Sequence, residues 1–147
     1  MPTGGGTTPP TSAPPTNPAT PTGAITGYGG KCVDITGANS ANGTPVELYD
    51  CNGTAAQSWT VASDGTLQAL GKCLDVTAAG TANGTKVDLY ACNGTGSQVW
   101  TAGSNGSLVN PQSGKCLDAT GPSSANGTLL QIWTCGGSAN QQWALPS

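Results

Sequence analysis

The chain has 147 residues, of which only 7% are charged, with four Lys, no Arg, no His and a net charge of −3. An average soluble protein is about one-quarter charged, so this surface has to be built from Thr, Ser, Asn, Gln and Gly, which suits neutral partners. No basic field exists to hold nucleic-acid phosphates, and the apolar runs of a few residues fall far short of the roughly 20 that a membrane-spanning helix needs.

Residues 1–23 hold seven of the eleven prolines: Pro2, Pro9, Pro10, Pro14, Pro15, Pro18 and Pro21. Almost no side chain there could enter a core, and an extended, partly polyproline linker is expected. Its place directly before a domain suits a tether to another module. Met1 followed at once by such sequence is expected to mark a cut in a longer protein.

From Gly30 onward the chain repeats itself three times. The copies open on GKCVDI (30–35), GKCLDV (71–76) and GKCLDA (114–119), and each carries ANGT, at 41–44, 82–85 and 125–128. Each closes on Gln-x-Trp, as Gln57 with Trp59, Gln98 with Trp100, and Gln141 with Trp143. Repeats of about 24–64, 65–106 and 107–147 follow. Within each copy the apolar period is two, which means strands. In Val46-Glu47-Leu48-Tyr49 the residues Val46 and Leu48 share one face, and Val87-Asp88-Leu89-Tyr90 and Leu130-Gln131-Ile132-Trp133 repeat the pattern. Asn-Gly pairs at Asn42, Asn52, Asn83, Asn93, Asn105 and Asn126 are tight-turn signals, because both residues tolerate positive φ. Turn chemistry explains them without glycosylation, although several also match its acceptor motif.

A propeller would need at least four blades and its Gly-His and Trp-Asp marks, which are missing. Three copies must instead close on one another around a threefold axis and share one core. Trp59, Trp100 and Trp143, at equivalent points, are expected to form it.

The six cysteines fall in pairs at one interval: Cys32 and Cys51, Cys73 and Cys92, Cys116 and Cys135. Within-repeat closure and a cyclic pairing between repeats both respect the symmetry, and within-repeat closure is the simpler. Each such bridge closes a loop of about 20 residues, worth roughly 3 kcal/mol in the chain-entropy model. An oxidising compartment outside the cell follows. A metal site is not expected, since there is no C-x-x-C, no His, and two ligands per repeat rather than four per site.

This pairing has a consequence at the surface. Asp34 lies two residues past Cys32 and Tyr49 two before Cys51, so each shares a strand face with its cysteine. The bridge then brings Asp34 and Tyr49 into one patch, and likewise Asp75 with Tyr90 and Asp118 with Trp133. A carboxylate beside an exposed ring is what a neutral sugar needs: the ring stacks on its C–H face while the carboxylate accepts from its hydroxyls. Of seven aromatic residues, three are the Gln-x-Trp tryptophans, three belong to these pairs, and Tyr28 is left over.

The motifs GKC-[VL]-D, [EDQ]-[LI]-[YW], C-x-G and Q-x-W, three times in register over about residues 24–145, resemble the ricin B-type lectin domain and, within it, the family 13 carbohydrate-binding modules of secreted bacterial glycosidases. The resemblance implies an all-β β-trefoil of three pseudo-symmetric repeats with up to three shallow pockets, α, β and γ in chain order, for galactose-, arabinose- or xylose-containing glycans. It implies that Asp118 takes a hydroxyl pair and Trp133 stacks. Gln131 would orient Asp118 or reach the sugar, while Asn140 and Gln141 complete the hydrogen bonding. The α pocket would use Asp34, Tyr49 and Gln57, with Glu47 in the usual Gln position and Ala56 in the usual Asn position. The β pocket would use Asp75, Tyr90 and Gln98, with Asp88 and Ser97 as departures. Asn52 and Asn93 could replace the missing amide. Two neighbouring carboxylates resist joint ionisation, so one of each pair could stay protonated and act as the donor the amide would have been, a cation could bridge them, or Glu47 and Asp88 could turn outward; α and β are expected to bind more weakly, or with more pH dependence, than γ.

Paired carboxylates also suggest glycoside hydrolysis. Here the acids repeat by symmetry, γ lacks the second one, and a shallow site does not supply the burial that raises a general acid's pKa. No His is present for a triad. A non-catalytic module is therefore expected, without cofactor, monomeric, binding sugars and polysaccharides and targeting a covalently linked glycoside hydrolase. A free-standing lectin and a protein-binding trefoil of inhibitor type are the alternatives.

Overall fold

A computed structural model describes residues 20–147, and most of the leading Pro/Thr segment lies outside that range. Eleven strands form: β1 (Thr22–Gly23), β2 (Cys32–Ile35), β3 (Thr44–Tyr49), β4 (Trp59–Val61), β5 (Leu67–Ala69), β6 (Lys72–Val76), β7 (Val87–Tyr90), β8 (Thr101–Ala102), β9 (Leu108–Asn110), β10 (Lys115–Ala119) and β11 (Leu130–Trp133). Short 3₁₀ turns join them, and the described residues contain no α-helix. Thr22 and Gly23, placed with the linker on composition, pair with Thr60 and Trp59 of β4, so the fold begins there.

Each repeat is built on one antiparallel hairpin. Cys32 faces Tyr49, Val33 faces Leu48, Asp34 faces Glu47 and Ile35 faces Val46 across β2 and β3. The same register recurs in β6 with β7 and in β10 with β11. Alternation sends Val33, Ile35, Val46 and Leu48 inward, fully buried, and leaves the acid and ring on the opposite face. Three bridges, Cys32–Cys51, Cys73–Cys92 and Cys116–Cys135, each span 19 positions and tie the hairpin to the turn beyond it. The fold is an all-β trefoil with within-repeat disulfides.

The core collects the inward faces of all three hairpins with Trp59, Trp100 and Trp143. An indole N–H cannot be buried without an acceptor. Trp59, Trp100 and Trp143 donate to the carbonyls of Val33, Leu74 and Leu117 at 2.9, 3.0 and 3.0 Å. The Gln-x-Trp spacing thus clamps the closing segment of each repeat onto its own first hairpin.

Between repeats the closure is cyclic. Oδ1 of Asn42 accepts from the amide of Ala91, Asn83 from Thr134, and Asn126 from Asp50, each at 2.8 Å. The next glycines, Gly43, Gly84 and Gly127, donate to the carbonyls of Leu89, Ile132 and Leu48. Every ANGT turn therefore caps the aromatic strand of the following copy, the third returning to the first. Asn83→Ala is expected to cost about 1 kcal/mol, the net worth of such a hydrogen bond, measured as a lower urea midpoint with unchanged slope.

Candidate functional site

On the outward face of each hairpin the alternation sets a carboxylate diagonal to a ring. Asp34, Asp75 and Asp118 are 7, 6 and 5% exposed, whereas Tyr49, Tyr90 and Trp133 are 41, 41 and 44% exposed. The hairpin register alone brings each acid to its ring, and the disulfide anchors the ring's strand end. Three open clefts result. The first, about 330 Å³, is lined by Asp34, Glu47, Tyr49, Asn52 and Ala56. The second, about 430 Å³, has Asp75, Asp88, Tyr90, Asn93 and Ser97. The third, about 560 Å³, has Asp118, Gln131, Trp133, Asn140 and Gln141.

The third cleft is held by amides. Oδ1 of Asp118 accepts from Gln131 Nε2 at 3.0 Å, and Oδ2 accepts from Asn140 Nδ2 at 3.0 Å and Gln141 Nε2 at 2.9 Å. A carboxylate offers about four acceptor positions, so one remains on Oδ1. In the first cleft Asp34 Oδ1 accepts from Gln57 Nε2 at 3.1 Å, and Ala56 offers nothing where Asn140 stands. In the second, Asp75 Oδ1 accepts from the Ser97 hydroxyl at 3.1 Å.

Gln57, Gln98 and Gln141, expected from the sequence to meet ligand, are buried and spent on the protein. Their Oε1 atoms accept from the amides of Asn52, Asn93 and Gly136 at 2.9, 2.9 and 2.8 Å. Their Nε2 groups donate to the carbonyls of Asp50, Ala91 and Thr134. Gln57 and Gln141 thereby hold the aspartate in place, and of the three only Gln141 borders one of these clefts. Asn52 and Asn93 line the clefts, with Oδ1 accepting from Thr54 and Thr95.

Glu47 and Asp88 do not turn outward. They are 9 and 8% exposed, across from Asp34 and Asp75. Burial and the facing carboxylate push each up to about 7, against a smaller lowering by the hydroxyls of Thr36 and Thr77. Those hydroxyls donate to Glu47 Oε1 at 3.0 Å and Asp88 Oδ2 at 3.3 Å. The described residues hold no cluster of three or more metal-ligating side chains.

Motif reading missed the loops that overhang the clefts. Gly37 and Ala38 cover the first, Ala78 and Ala79 the second, and Gly121 and Pro122 the third. Ala38, Ala78 and Ala79 take φ of 54, 53 and 57°, a left-handed region uncommon for residues with a Cβ. The signal was the equivalent Thr-Gly-Ala, Thr-Ala-Ala and Thr-Gly-Pro that follow the Asp-containing strands. Also missed was the neighbouring repeat's share. Leu129 bridges to Glu47, Pro45 pairs with Asp88, and Lys86 bridges to Gln131, its Nζ 3.5 Å from Oε1.

Residues 21–143 match the family model described as the ricin-type beta-trefoil lectin domain. An agglutinin from Abrus precatorius superposes with a TM-score of 0.81 at 32% identity, over 92% of this chain and 51% of that one. A designed threefold-symmetric protein, ThreeFoil, superposes at 0.78 with 30% identity, over 86% of this chain and 98% of its own. A glucan endo-1,3-beta-glucosidase from Cellulosimicrobium cellulans is 48% identical over 59 residues, 36% of this chain and 11% of the enzyme. Matched stretches amount to 8–11% of the curated relatives.

Proposed function

This chain belongs to the ricin-type beta-trefoil lectin domain family, a non-catalytic fold that binds carbohydrate, and on that premise we propose that its three clefts seat neutral sugar units of a polysaccharide. The observation that carries the reading is the threefold repetition of a buried carboxylate beside a half-exposed ring. A core residue has no reason to leave its ring out, and a surface tyrosine has no reason to face a buried acid in every copy. In the γ cleft Trp133 stacks on the sugar's C–H face. Asp118 accepts one hydroxyl at its open Oδ1 position, and Gln131 and Asn140 border the rest of the ring. Asp34 with Tyr49 and Asp75 with Tyr90 do the same in α and β, with Asn52 and Asn93 as amide donors.

One such open site supports about millimolar affinity, roughly −4 kcal/mol. Three on one trefoil raise the apparent strength on a polymer through effective concentration. The module therefore holds a linked glycoside hydrolase at galactose-, arabinose- or xylose-containing polysaccharide. The likeness to part of a much longer glucanase supports that arrangement, and three disulfides support work outside the cell.

NMR titration with methyl galactoside, arabinobiose and xylobiose, following Tyr49, Tyr90 and Trp133, tests the reading. Saturable shifts at the rings are expected with at least one sugar. Trp133→Ala should weaken the γ site by about tenfold, the worth of one aromatic stacking contact. Rings that stay silent to all three sugars would remove the reading.

A further inference from the structure

The γ cleft has a hydrogen that the other two lack. There Gln131 Nε2 donates to Asp118 Oδ1, whereas the equivalent partners of Asp34 and Asp75 are carboxyls, Glu47 and Asp88. As anions these can only accept. Asp88 shows the deficit directly: its Oδ2 is taken by Thr77, while Oδ1 is the one buried side-chain polar atom without a partner among the described residues. A buried oxygen left facing another carboxylate is costly unless a proton lies between them.

We infer that Glu47 and Asp88 are positioning residues that hold a proton and donate it to Asp34 and Asp75, doing as acids what Gln131 does as an amide. This rests on the sugar-binding reading for its consequence: α and β are formed only while that proton is present, and γ, held by the amide of Gln131, does not depend on it. The module therefore grips polysaccharide at three points in mildly acidic surroundings and at one in alkaline.

The neighbours favour this assignment. Glu47 is faced by Asp34 of β2, by the Thr36 hydroxyl and, from the third repeat, by Leu129. Asp88 is faced by Asp75 of β6, by Thr77 and by Pro45 of β3. Tyr49 and Tyr90 lie further along their own strands. Among the described residues the one ion pair is Lys31 with Asp50 at 4.0 Å, so none of the four lysines pairs with these acids; Lys72 donates to Ser40 and Lys86 borders Gln131. Across the repeat boundary the amide has a cation and the acids have apolar side chains. That arrangement keeps a proton on Glu47 and Asp88.

Two measurements test it. The first needs no sugar: side-chain carboxyl ¹³C shifts of Glu47 and Asp88 in the full chain should titrate near pH 7. Midpoints in the ordinary carboxyl range, about 4 to 5, would overturn the proposal whatever the clefts bind. The unfolded chain gives these acids up at about pH 4 to 5. Their contribution to stability is therefore present at low pH and lost as pH rises toward 7, and Glu47→Gln with Asp88→Asn should flatten that slope.

The second titrates whichever of methyl galactoside, arabinobiose or xylobiose moves Trp133, at pH 5.5 and 8.5. Affinity read at Tyr49 and Tyr90 should fall at least tenfold, up to about 30-fold for a group titrating near 7, with less than a twofold change at Trp133. Glu47→Gln and Asp88→Asn should keep the acid-pH affinity at pH 8.5. Equal pH profiles at all three rings, or variants that fail to rescue alkaline binding, would overturn it.

Discussion

Asp118→Ala is expected to empty the γ cleft, with affinity at Trp133 falling at least 100-fold. The carboxylate is the acceptor proposed for the sugar, and it also anchors the amides of Gln131, Asn140 and Gln141. Hydrogen bonds to a charged group are worth about 1.5–3 kcal/mol each, so one lost to the sugar and a loosened wall together reach that size. Deleting the acid also leaves three buried donors short of a partner. Unfolding free energy should drop by about 2 kcal/mol or more. Asp34→Ala strands the amide of Gln57 and the Glu47 proton, two donors rather than three, and should cost less. NMR titration at the Trp133 indole and a urea melt read both effects. Unchanged binding at Trp133 would show that the acid serves only the protein.

Trp59→Ala should cause the largest stability loss of any single truncation in the core. The side chain is fully buried and its N–H is satisfied by Val33 O, and its backbone pairs with Gly23 where the fold begins. Truncating a buried tryptophan typically costs about 3–5 kcal/mol, against a total stability of about 5–15 kcal/mol for a domain. Trp100 and Trp143 are 5 and 6% exposed, and their truncation should fall slightly lower in that range. Calorimetric melting in oxidising buffer orders the three; a loss below about 1 kcal/mol at Trp59 would contradict its place in the shared core.

What could be read in the residues beforehand was whatever the repetition stated three times. Period-two alternation in Val46-Glu47-Leu48-Tyr49 separates core from cleft. A common interval pairs Cys32 with Cys51 and its copies, and the rings paired with the aspartates, Tyr49, Tyr90 and Trp133, are the exposed ones. The departures lay where two repeats meet. Nothing in the linear order announces that Leu129 lies over Glu47 or that Lys86 lies beside Gln131, because those contacts cross copies. Gln57 and Gln98, unlike Gln141, stand off the three clefts for a different reason. The bend at each cysteine turns one backbone N–H and one backbone carbonyl inward, and Gln57, Gln98 and Gln141 are the side chains that satisfy them. The overhanging loops were marked only by the equivalent triplets Thr36-Gly37-Ala38, Thr77-Ala78-Ala79 and Thr120-Gly121-Pro122, because left-handed alanines at Ala38 and Ala78 obey no common turn signature.

The ring of asparagine caps makes every copy a voussoir in an arch. A repeat whose cleft has decayed still braces its successor, so mutation can silence its grip on glycan while selection keeps its masonry. Relatives with one dead seat should therefore be commoner than relatives with one copy missing, and rewiring the termini to a different repeat boundary should leave all three seats working.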